Sequence, residues 1–430
     1  MSTHSPTRGL APIVAGILAA AVLGGCVAGP GVAPPREPVP PIGRLTSGNG
    51  AVRLSDAPTI STDGRFVIFE SDATNLVPGT DANGAVTDVF QLDRLTTTTT
   101  RLTNGNALSG GASISRNGQW ITFESDATDL VPGPDTFNNR DIFLYERATQ
   151  ITTRVTTQVT GYSDAASVDN NGNVAFQSGS DTLDPADTDS DPDIYVWNRA
   201  TGVFTCITAA ANGRSGEPEI SGDGSTVVFS SEATDLTPGV DLNGAVTDIF
   251  AWTAAGMTRI TNPVGSSGQG SGGTSISTDG RFIAFDSATA NLVAGTDPNG
   301  TGFDVFLHDR LTATTTRITS GVAQSGLPII SGNGDWVGLL SESTDLTPGP
   351  DANGAGLDNF LWKRSTGAFR RLTNGSNTLP IDATGDNGDR ISPTASSDDG
   401  LVVIYTSTAT DLLPIADPNG QVMDLFISTL

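Results

Sequence analysis

A unit of about 54 residues recurs along this chain, and it constrains the fold more than any other feature. Its clearest landmark is a corner glycine preceded by Asp or Asn, and successive copies are 54, 54, 52, 56, 54 and 66 residues apart. The corner glycines are Gly64, Gly118, Gly172, Gly224, Gly280, Gly334 and Gly400. Self-similarity of this kind is typical of architectures in which each repeat packs on its neighbours.

Each unit contains four short segments with the composition of β-strands, as the first copy illustrates. Pro58–Ser61 leads through the turn at Gly64 into Arg65–Ser71, whose Phe-Val-Ile-Phe run is expected of a strand covered on both faces. The third and fourth strands are predicted at Asp88–Leu92 and Thr100–Thr103. Four antiparallel strands in about 50 residues are typical of a propeller blade, whereas a parallel β-helix repeats at about half that length. The sequence therefore predicts an all-β fold, a seven-bladed β-propeller.

The two ends of the repeat array predict how the ring closes. Six units end in an Arg-x-Thr or, in one case, a Cys206-Ile-Thr segment, but the chain stops at Leu430, just after the third strand of the seventh unit. Arg44-Leu45-Thr46 stands ahead of the first unit without strands of its own. We expect this N-terminal strand to complete the last blade, which leaves no open sheet edge. The propeller is thus predicted to span residues 42–430.

The residues before the repeats have the composition of an export signal. Residues 1–25 carry Arg8 and then a short apolar run, and they end in Leu-Gly-Gly followed by Cys26. This segment resembles the lipobox of bacterial lipoproteins, which implies that Cys26 is lipidated. An ordinary cleaved signal or an uncleaved anchor is the alternative. The Pro-rich residues 26–41 are predicted to form a semi-rigid tether. With Cys26 lipidated, we expect the protein to be lipid-anchored in the cell envelope, facing the periplasm or the cell surface.

The charge balance limits the choice of partners. The chain has 22 basic and 47 acidic residues, a net charge of −25. Nucleic acid is excluded as a partner because its recognition needs a basic patch. The acidity suits solubility, cation binding or attraction to basic proteins of the envelope. We expect a monomer that is attached to the membrane by its lipid.

The acidic residues recur in the loop between the second and third strands of each unit. Alternate oxygen-bearing residues, a glycine for the bend and a closing aspartate form a pattern that suits Ca²⁺, which takes six to eight oxygen ligands. The alternative is turn chemistry, in which Asp and Asn bond to their own backbone. The candidate ligands are Asp81, Asn83 and Asp88, then Asp187, Asp189, Asp191 and Asp193, and then Asp297, Asn299 and Asp304.

One interblade loop is about a dozen residues longer than the others. It runs over residues 374–393 and adds Asp382, Asp386, Asp389 and Arg390. Long loops on a rigid scaffold frequently carry binding residues, so this loop is a candidate binding site. The alternative is a tolerated insertion.

Catalytic motifs are absent from the sequence. There is no Gly-x-Ser-x-Gly elbow, no His-Glu-x-x-His and no phosphate-binding loop with lysine. His308, the one histidine after the export signal, is expected on a strand surface, and Cys206 is expected to be an unreactive apolar substitute. The sequence therefore predicts no catalytic residues and a protein that is not an enzyme. A propeller enzyme, a glycan lyase or hydrolase, is the alternative.

The repeat itself is similar to a known one. Pro-x-Ile-Ser-x-Asp-Gly-Arg-Phe, followed by Asp-Val-Phe-x-x-Asp-Arg and Thr-x-Arg-Ile-Thr, resembles the PD40 (WD40-like) repeat of TolB-like propeller proteins. The resemblance implies a bacterial envelope protein whose propeller binds other proteins. The leading hypothesis is a non-enzymatic propeller lipoprotein that binds proteins or ligands through an acidic loop face, with Ca²⁺ as the candidate stabilising ion.

Overall fold

A computed structural model describes most of the repeat region. The described residues are 42–46, 52–53, 58–133, 139–157, 161–188, 191–209, 211–264, 270–351, 354, 356–373, 395–407 and 424–429. None of them forms a helix, so this part of the chain contains no helical segment that could cross a membrane. The predicted signal, tether and lipidated Cys26 lie outside the described residues.

The described residues form 29 strands in seven antiparallel sheets, one for each repeat. The strands are β1 (Ile42–Arg44), β2 (Val52–Arg53), β3 (Thr59–Ile60), β4 (Phe66–Ser71), β5 (Asp88–Asp93), β6 (Thr98–Arg101), β7 (Ser109–Ile114), β8 (Trp120–Ser125), β9 (Asp141–Glu146), β10 (Ile151–Arg154), β11 (Ser163–Val168), β12 (Val174–Ser178), β13 (Asp193–Asn198), β14 (Val203–Cys206), β15 (Ser215–Ile220), β16 (Thr226–Ser231), β17 (Asp248–Thr253), β18 (Gly256–Arg259), β19 (Ser271–Ile276), β20 (Phe282–Ser287), β21 (Asp304–Asp309), β22 (Thr314–Arg317), β23 (Ser325–Ile330), β24 (Trp336–Ser341), β25 (Asp358–Lys363), β26 (Ala368–Arg371), β27 (Ala395–Ser396), β28 (Val402–Ser407) and β29 (Asp424–Thr429).

The sheets confirm the seven-bladed propeller. Blades one to six pair their strands in chain order, as β7 to β10 do in blade two. The first strand of blade one is divided into β2 and β3, which both pair with β4. The fourth strand of blade one begins and ends two residues earlier than predicted, at Thr98–Arg101. The threonine of its Arg-x-Thr motif therefore lies just beyond the strand.

The ring closes as the sequence predicts. In blade seven the strand order is β1-β29-β28-β27, and β1 pairs with β29 in the register Ile42↔Ser428 and Arg44↔Phe426. The N-terminal strand is thus the outermost strand of the last blade. This pairing covers the sheet edge that β29 would otherwise present to solvent.

The core lies between adjacent blades and along each second strand. All six residues of β4 are buried, and Phe69 stacks on Phe90 of β5 with ring centroids 5.6 Å apart. Equivalent aromatic stacks join Phe123 to Phe143, Phe176 to Tyr195, Phe229 to Phe250, Phe285 to Phe306 and Tyr405 to Phe426. Phe66 and Ile68 of blade one pack with Ile121 of blade two, so each sheet is covered on both faces. This explains the absence of polar alternation in the second strands.

The corner turn between the first two strands accounts for the Ser-x-Asp-Gly motif. The hydroxyl of Ser61 accepts a hydrogen bond of 3.0 Å from the backbone of Phe66, and Asp63 accepts one of 2.9 Å from the backbone of Arg65. Gly64 has φ 70°, a left-handed conformation that other residues adopt at a cost. Because these side chains satisfy the turn's own backbone, the residue between Ser and Asp is free to vary.

Candidate functional site

A hydrogen bond between the closing aspartate of the acidic loop and a threonine recurs in all seven blades. Thr103 donates to Asp88 at 2.9 Å, and its oxygen accepts the backbone N–H of Val89 at 2.9 Å. The same donation links Thr156 to Asp141, Thr208 to Asp193, Thr261 to Asp248, Thr319 to Asp304, Thr373 to Asp358 and Thr46 to Asp424. The repeated Asp and Thr are therefore structural partners that attach the fourth strand to the third.

The arginine of the Arg-x-Thr motif forms an ion pair with the same aspartate. In blade four, Arg259 lies 2.7 Å from Asp241 and 2.9 Å from Asp248, with 7% of its side chain exposed. We call this arrangement the arginine bridge. Equivalent pairs join Arg101 to Asp81 and Asp88, Arg317 to Asp297 and Asp304, Arg371 to Asp351 and Asp358, Arg154 to Asp141, and Arg44 to Asp424.

Each bridging guanidinium also lies over the aromatic ring of its third strand. The distances from guanidinium carbon to ring centroid run from 4.9 Å for Arg259 over Phe250 to 5.6 Å for Arg317 over Phe306. Four further pairs are Arg44 over Phe426, Arg101 over Phe90, Arg154 over Phe143 and Arg371 over Phe360. Cation–π attraction and the buried carboxylates together hold the arginine in place.

The arginine bridge occupies the position that the sequence analysis assigned to calcium. Asp81 and Asp88 face Arg101, and Asp297 and Asp304 face Arg317. In each of these two blades one guanidinium of the chain itself thus lies against both aspartates. Burial raises the pKa of Asp88, and equally of Asp304, to about 6 even with the arginine present.

The predicted asparagine ligands donate rather than accept where their partners are seen. The amide nitrogen of Asn83 donates to the carbonyl of Ala107 at 3.2 Å, and that of Asn299 donates to the carbonyl of Ala323 at 3.2 Å. Ala107 and Ala323 belong to interblade loops. The two kinds of loop therefore lie on the same face of the ring, as expected for connections that follow even-numbered strands.

Blade three departs from this pattern at two positions. Cys206 stands where six blades have arginine, and Tyr195 stands where those blades have phenylalanine. The Tyr195 hydroxyl donates a hydrogen bond to Asp187, and Asp187, Asp193 and Cys206 place one ligand atom each within 4.8 Å of the others. These three side chains could hold a metal ion. Both aspartates are 4% exposed.

The structure thus brings together some of the predicted ligands of blade three and adds another. Asp187 and Asp193 lie in one cluster, and Asp191 does not belong to it. Asp189 lies outside the described residues. The sequence analysis interpreted Cys206 as an unreactive apolar residue in place of arginine. The signal for a site was that one repeat exchanges both arginine for Cys206 and phenylalanine for Tyr195. Burial raises the pKa of Cys206 to about 12, so in this environment it is a thiol.

Hydrogen bonds between corner turns join all seven blades around the ring axis. They run between blades one and two, and so on to blades seven and one, with lengths of 2.8 to 3.0 Å. The bonds are Thr62 N–H to Arg116 carbonyl, Asn117 N–H to the Asn170 amide oxygen, Asn170 N–H to Gly222 carbonyl, Asp223 N–H to Thr278 carbonyl, Thr278 N–H to Gly332 carbonyl, Asn333 N–H to the Asp398 carboxylate and Asp398 N–H to Thr62 carbonyl.

We call the collar the seven residues at one position of the corner motif, each preceded by Ser, or by Asp169 in blade three, and followed by Asp or Asn. They are Thr62, Arg116, Asn170, Gly222, Thr278, Gly332 and Asp398. The residues on either side of them repeat, whereas these vary. Six blades contribute to a cavity of about 450 Å³ at the axis, so the collar surrounds the mouth of the central channel.

The collar carries polar groups that converge on this mouth. Arg116 reaches across the channel to donate a 2.8 Å hydrogen bond to the carbonyl of Ile276 in blade five. The Thr278 hydroxyl is buried and has no hydrogen-bond partner among the described residues. Burial raises the pKa of Asp398. Burial also raises the pKa of Glu219, a first-strand residue, and the positive charge of Arg116 opposes part of this rise. Sequence analysis missed this site because each collar residue is unremarkable within its own repeat.

Two other expectations concern residues outside the site. His308 is buried in β21 and hydrogen-bonded to Thr315 at 2.9 Å, so it is not the strand-surface residue expected. The candidate binding residues Asp382, Asp386, Asp389 and Arg390 lie outside the described residues.

Many solved structures share the fold of this chain. No family model matches the sequence, and no curated protein is significantly similar to it. An oligogalacturonate lyase from Vibrio parahaemolyticus matches at 14% identity and TM-score 0.55, covering 91% of this chain and 94% of that one. A manganese complex of oligogalacturonate lyase matches at 16% identity and TM-score 0.54, covering 90% and 93%. TolB from Acinetobacter baumannii is also similar, at 14% identity and TM-score 0.39, covering 89% and 79%.

These comparisons correct one conclusion drawn from the sequence. The chain was predicted not to be an enzyme, because its sequence carries none of the catalytic motifs named above. The lyase structures match this ring over nearly their whole length. The likeness is one of fold, and this fold serves an enzyme without an added domain, so the prediction is wrong.

Proposed function

We propose that this protein binds an acidic, hydroxyl-rich ligand, an acidic oligosaccharide, at the collar. The carrying observation is that a corner motif largely repeated around the ring varies most at the collar position, and that six of the seven collar residues line the cavity at the channel mouth. Repeated turns that differ mainly in one residue near the axis are typical of a binding site built on a constant scaffold.

The collar chemistry supports this class of ligand. The Arg116 guanidinium has five N–H groups, of which one is engaged with Ile276, so it can also bind a carboxylate. The unpartnered Thr278 hydroxyl and the Asn170 side chain offer hydrogen bonds to sugar hydroxyls. The two solved lyases, whose names give oligogalacturonate as their substrate, share the whole ring and support an acidic saccharide in particular.

Location and the acidic loops complete the proposal. The export signal and lipobox-like segment ending at Cys26 support a lipoprotein of the cell envelope. The acidic loops are the weaker candidate for a docking surface or a calcium site, because Arg101, Arg259 and their equivalents already lie against these aspartates. Their role in this proposal is to fix the fourth strand.

Calorimetric titration of the full chain with oligogalacturonate, and with a neutral oligosaccharide of equal length, tests the proposal. We expect saturable binding of the acidic sugar and a loss of at least about 10-fold in affinity in Arg116→Gln. Arg199→Gln is the control, since Arg199 lies outside the collar, in the turn between the third and fourth strands of blade three, where it stacks on Trp120 and donates to the carbonyl of Asn171. Mass spectrometry of the incubated sugar then distinguishes binding from cleavage.

A second variant probes the space rather than the charge. A Cβ at Gly332 would lie 2.6 Å from both the Asp398 carboxylate and the Thr278 hydroxyl, so Gly332→Ala narrows the mouth without requiring a left-handed backbone. We expect it to weaken binding with little change in melting temperature. Equal binding by wild type, Arg116→Gln and Gly332→Ala, or no binding of either sugar, would overturn the proposal.

A further inference from the structure

We propose that Asp187, Asp193 and Cys206 bind a divalent transition-metal ion of the zinc class, in the place that an arginine guanidinium occupies in the other six blades. This site lies in blade three, where the loop between the second and third strands meets the start of the third strand and the end of the fourth, and it is separate from the collar. The proposal is independent of the ligand assigned to the channel mouth.

The equivalence of the positions follows from the strand register. Tyr195 pairs with Cys206 across β13 and β14, as Phe250 pairs with Arg259 across β17 and β18. Asp187 and Asp193 correspond in turn to the two aspartates bridged by Arg259. The same pocket is therefore built seven times, and six copies are filled by a cation that the chain supplies.

Blade three keeps both carboxylates but exchanges the cation for a metal-binding side chain. Asp187 and Asp193 are each 4% exposed, and Cys206 stands where Arg259 bridges the equivalent aspartates of blade four. A thiol has replaced the guanidinium, so that two carboxylates and a sulfur lie within 4.8 Å of one another. A bound cation would take the place of the guanidinium, and the thiolate adds a ligand that arginine could not provide.

The donor set selects the class of ion. Calcium and magnesium require oxygen ligands, whereas a thiolate favours zinc and its neighbours in the transition series. A tetrahedral zinc ion holds its ligand atoms about 3.5 Å apart, so the cluster needs only a small contraction to close on it. Three protein ligands leave one coordination position for water or an exogenous ligand.

Tyr195 acts as a positioning residue in this site. Its hydroxyl, absent from the phenylalanines of the six sister blades, donates to Asp187, and it also lies 2.8 Å from the carbonyl of Ser180. An outer hydrogen bond of this kind fixes the orientation of a metal-ligating carboxylate. Tyr195→Phe should therefore weaken metal affinity about 10- to 100-fold while the fold is kept.

Titration of the metal-free full chain with Co²⁺, a spectroscopic substitute for Zn²⁺, tests the site. We expect a thiolate-to-cobalt charge-transfer band with one ion bound per chain, lost on addition of zinc and unaffected by millimolar Ca²⁺. Cys206→Ser should lose the band. Cys26 is present in both proteins, so the difference between them belongs to Cys206.

The double variant Tyr195→Phe with Cys206→Arg is the matched control. It rebuilds the arginine bridge of the sister blades, so it should fold, bind no cobalt at this site and melt at a temperature that chelator does not change. Wild type should melt at a lower temperature after chelation. The proposal would be wrong if the folded wild type gave no cobalt–thiolate band, or if the band persisted in Cys206→Ser. It would also be wrong if zinc raised the melting temperature of wild type and of the double variant equally.

Discussion

The hydroxyl of Thr46 donates a 2.9 Å hydrogen bond to Asp424, a residue 378 positions later in the chain. The same oxygen accepts the backbone N–H of Leu425 at 3.0 Å, and Arg44 lies 3.1 Å from the Asp424 carboxylate. Six blades make this linkage within one repeat, and blade seven makes it between the two ends of the propeller. Closure of the ring thus uses the same chemistry as each blade.

Replacing Thr46 by valine should destabilise the ring. The isosteric change removes the hydroxyl that satisfies both Asp424 and the Leu425 N–H, and such a loss costs about 1–3 kcal/mol of unfolding free energy. Urea denaturation followed by tryptophan fluorescence measures it. Thr100→Val, at an exposed position of β6, is the control and should change the free energy by less than about 0.5 kcal/mol. Equal effects of the two changes would contradict the role given to Thr46.

Removing an arginine bridge should be far more costly than removing a surface ion pair. Arg259→Met leaves Asp241 and Asp248 buried without their cation, which we expect to lower the unfolding free energy by about 3–5 kcal/mol. Arg214→Met breaks the exposed pair with Glu232, whose arginine side chain is 67% exposed, and should cost less than about 1 kcal/mol. Denaturant titration of both variants at one pH makes the comparison. A small loss in Arg259→Met would show that the bridge is incidental.

The stability of the ring should depend on pH through Asp286. Burial, followed by the nearby charge of Glu217, raises the pKa of this carboxyl to about 6, so between about pH 4 and 6 the folded state binds more protons than the unfolded state. Its contribution is therefore favourable at acid pH and lost as the pH rises through 6. Asp286→Asn should be more stable than wild type at pH 7.5, by up to about 3 kcal/mol, and the difference should shrink toward pH 4.

A variant of opposite sign provides the control for that pH series. The hydrogen bond from Arg65 lowers the pKa of Asp93 to about 2, so Asp93 stabilises the fold above its unfolded pKa and loses this effect as the pH falls through the folded value. Asp93→Asn should accordingly be less stable than wild type at pH 7.5 and approach it in acid. Melting temperatures recorded from pH 3 to 8 test both variants, and parallel curves would rule out the assignment.

Two glycines of blade six separate backbone strain from steric clash. Gly334 has φ 72° and Gly367 has φ 69°, but a Cβ at Gly334 would lie 2.4 Å from the Phe282 ring, whereas one at Gly367 meets nothing within 4 Å. Gly367→Ala should lose about 1–2 kcal/mol through its left-handed backbone alone. Gly334→Ala should lose at least about 2 kcal/mol more, because the ring of the neighbouring blade must move. Similar losses in thermal and urea unfolding would exclude the clash.

Much of the fold follows from the sequence because the repeat carries its own hydrogen-bonding partners. Ser61, Asp63 and Gly64 satisfy one turn, and seven copies of that motif give the number of blades. The Arg-x-Thr segment at Arg44 and Thr46 predicts closure because it stands without strands of its own. These inferences need only the spacing of residues within a repeat and the presence of one strand segment without a repeat of its own. Both are visible in the sequence.

The candidate sites could not be read in the same way, because they depend on how far a side chain reaches. The aspartate pattern of the acidic loops suits calcium, yet Arg101 comes from the next strand and takes the position between Asp81 and Asp88. The collar is assembled from residues about 54 positions apart, such as Thr62 and Arg116. Its members converge only once the ring is closed, and no single repeat reveals them.

The strand that closes the ring is also where tension on the N-terminal segment would enter the domain. A pull on residue 41 loads β1 first, and β1 is held to β29 by three residue pairs, Ile42↔Ser428, Gly43↔Ile427 and Arg44↔Phe426. Blade seven is therefore the blade whose outer strand such a pull would reach first. The closing strand makes the ring complete, and it is also the strand through which that load would pass.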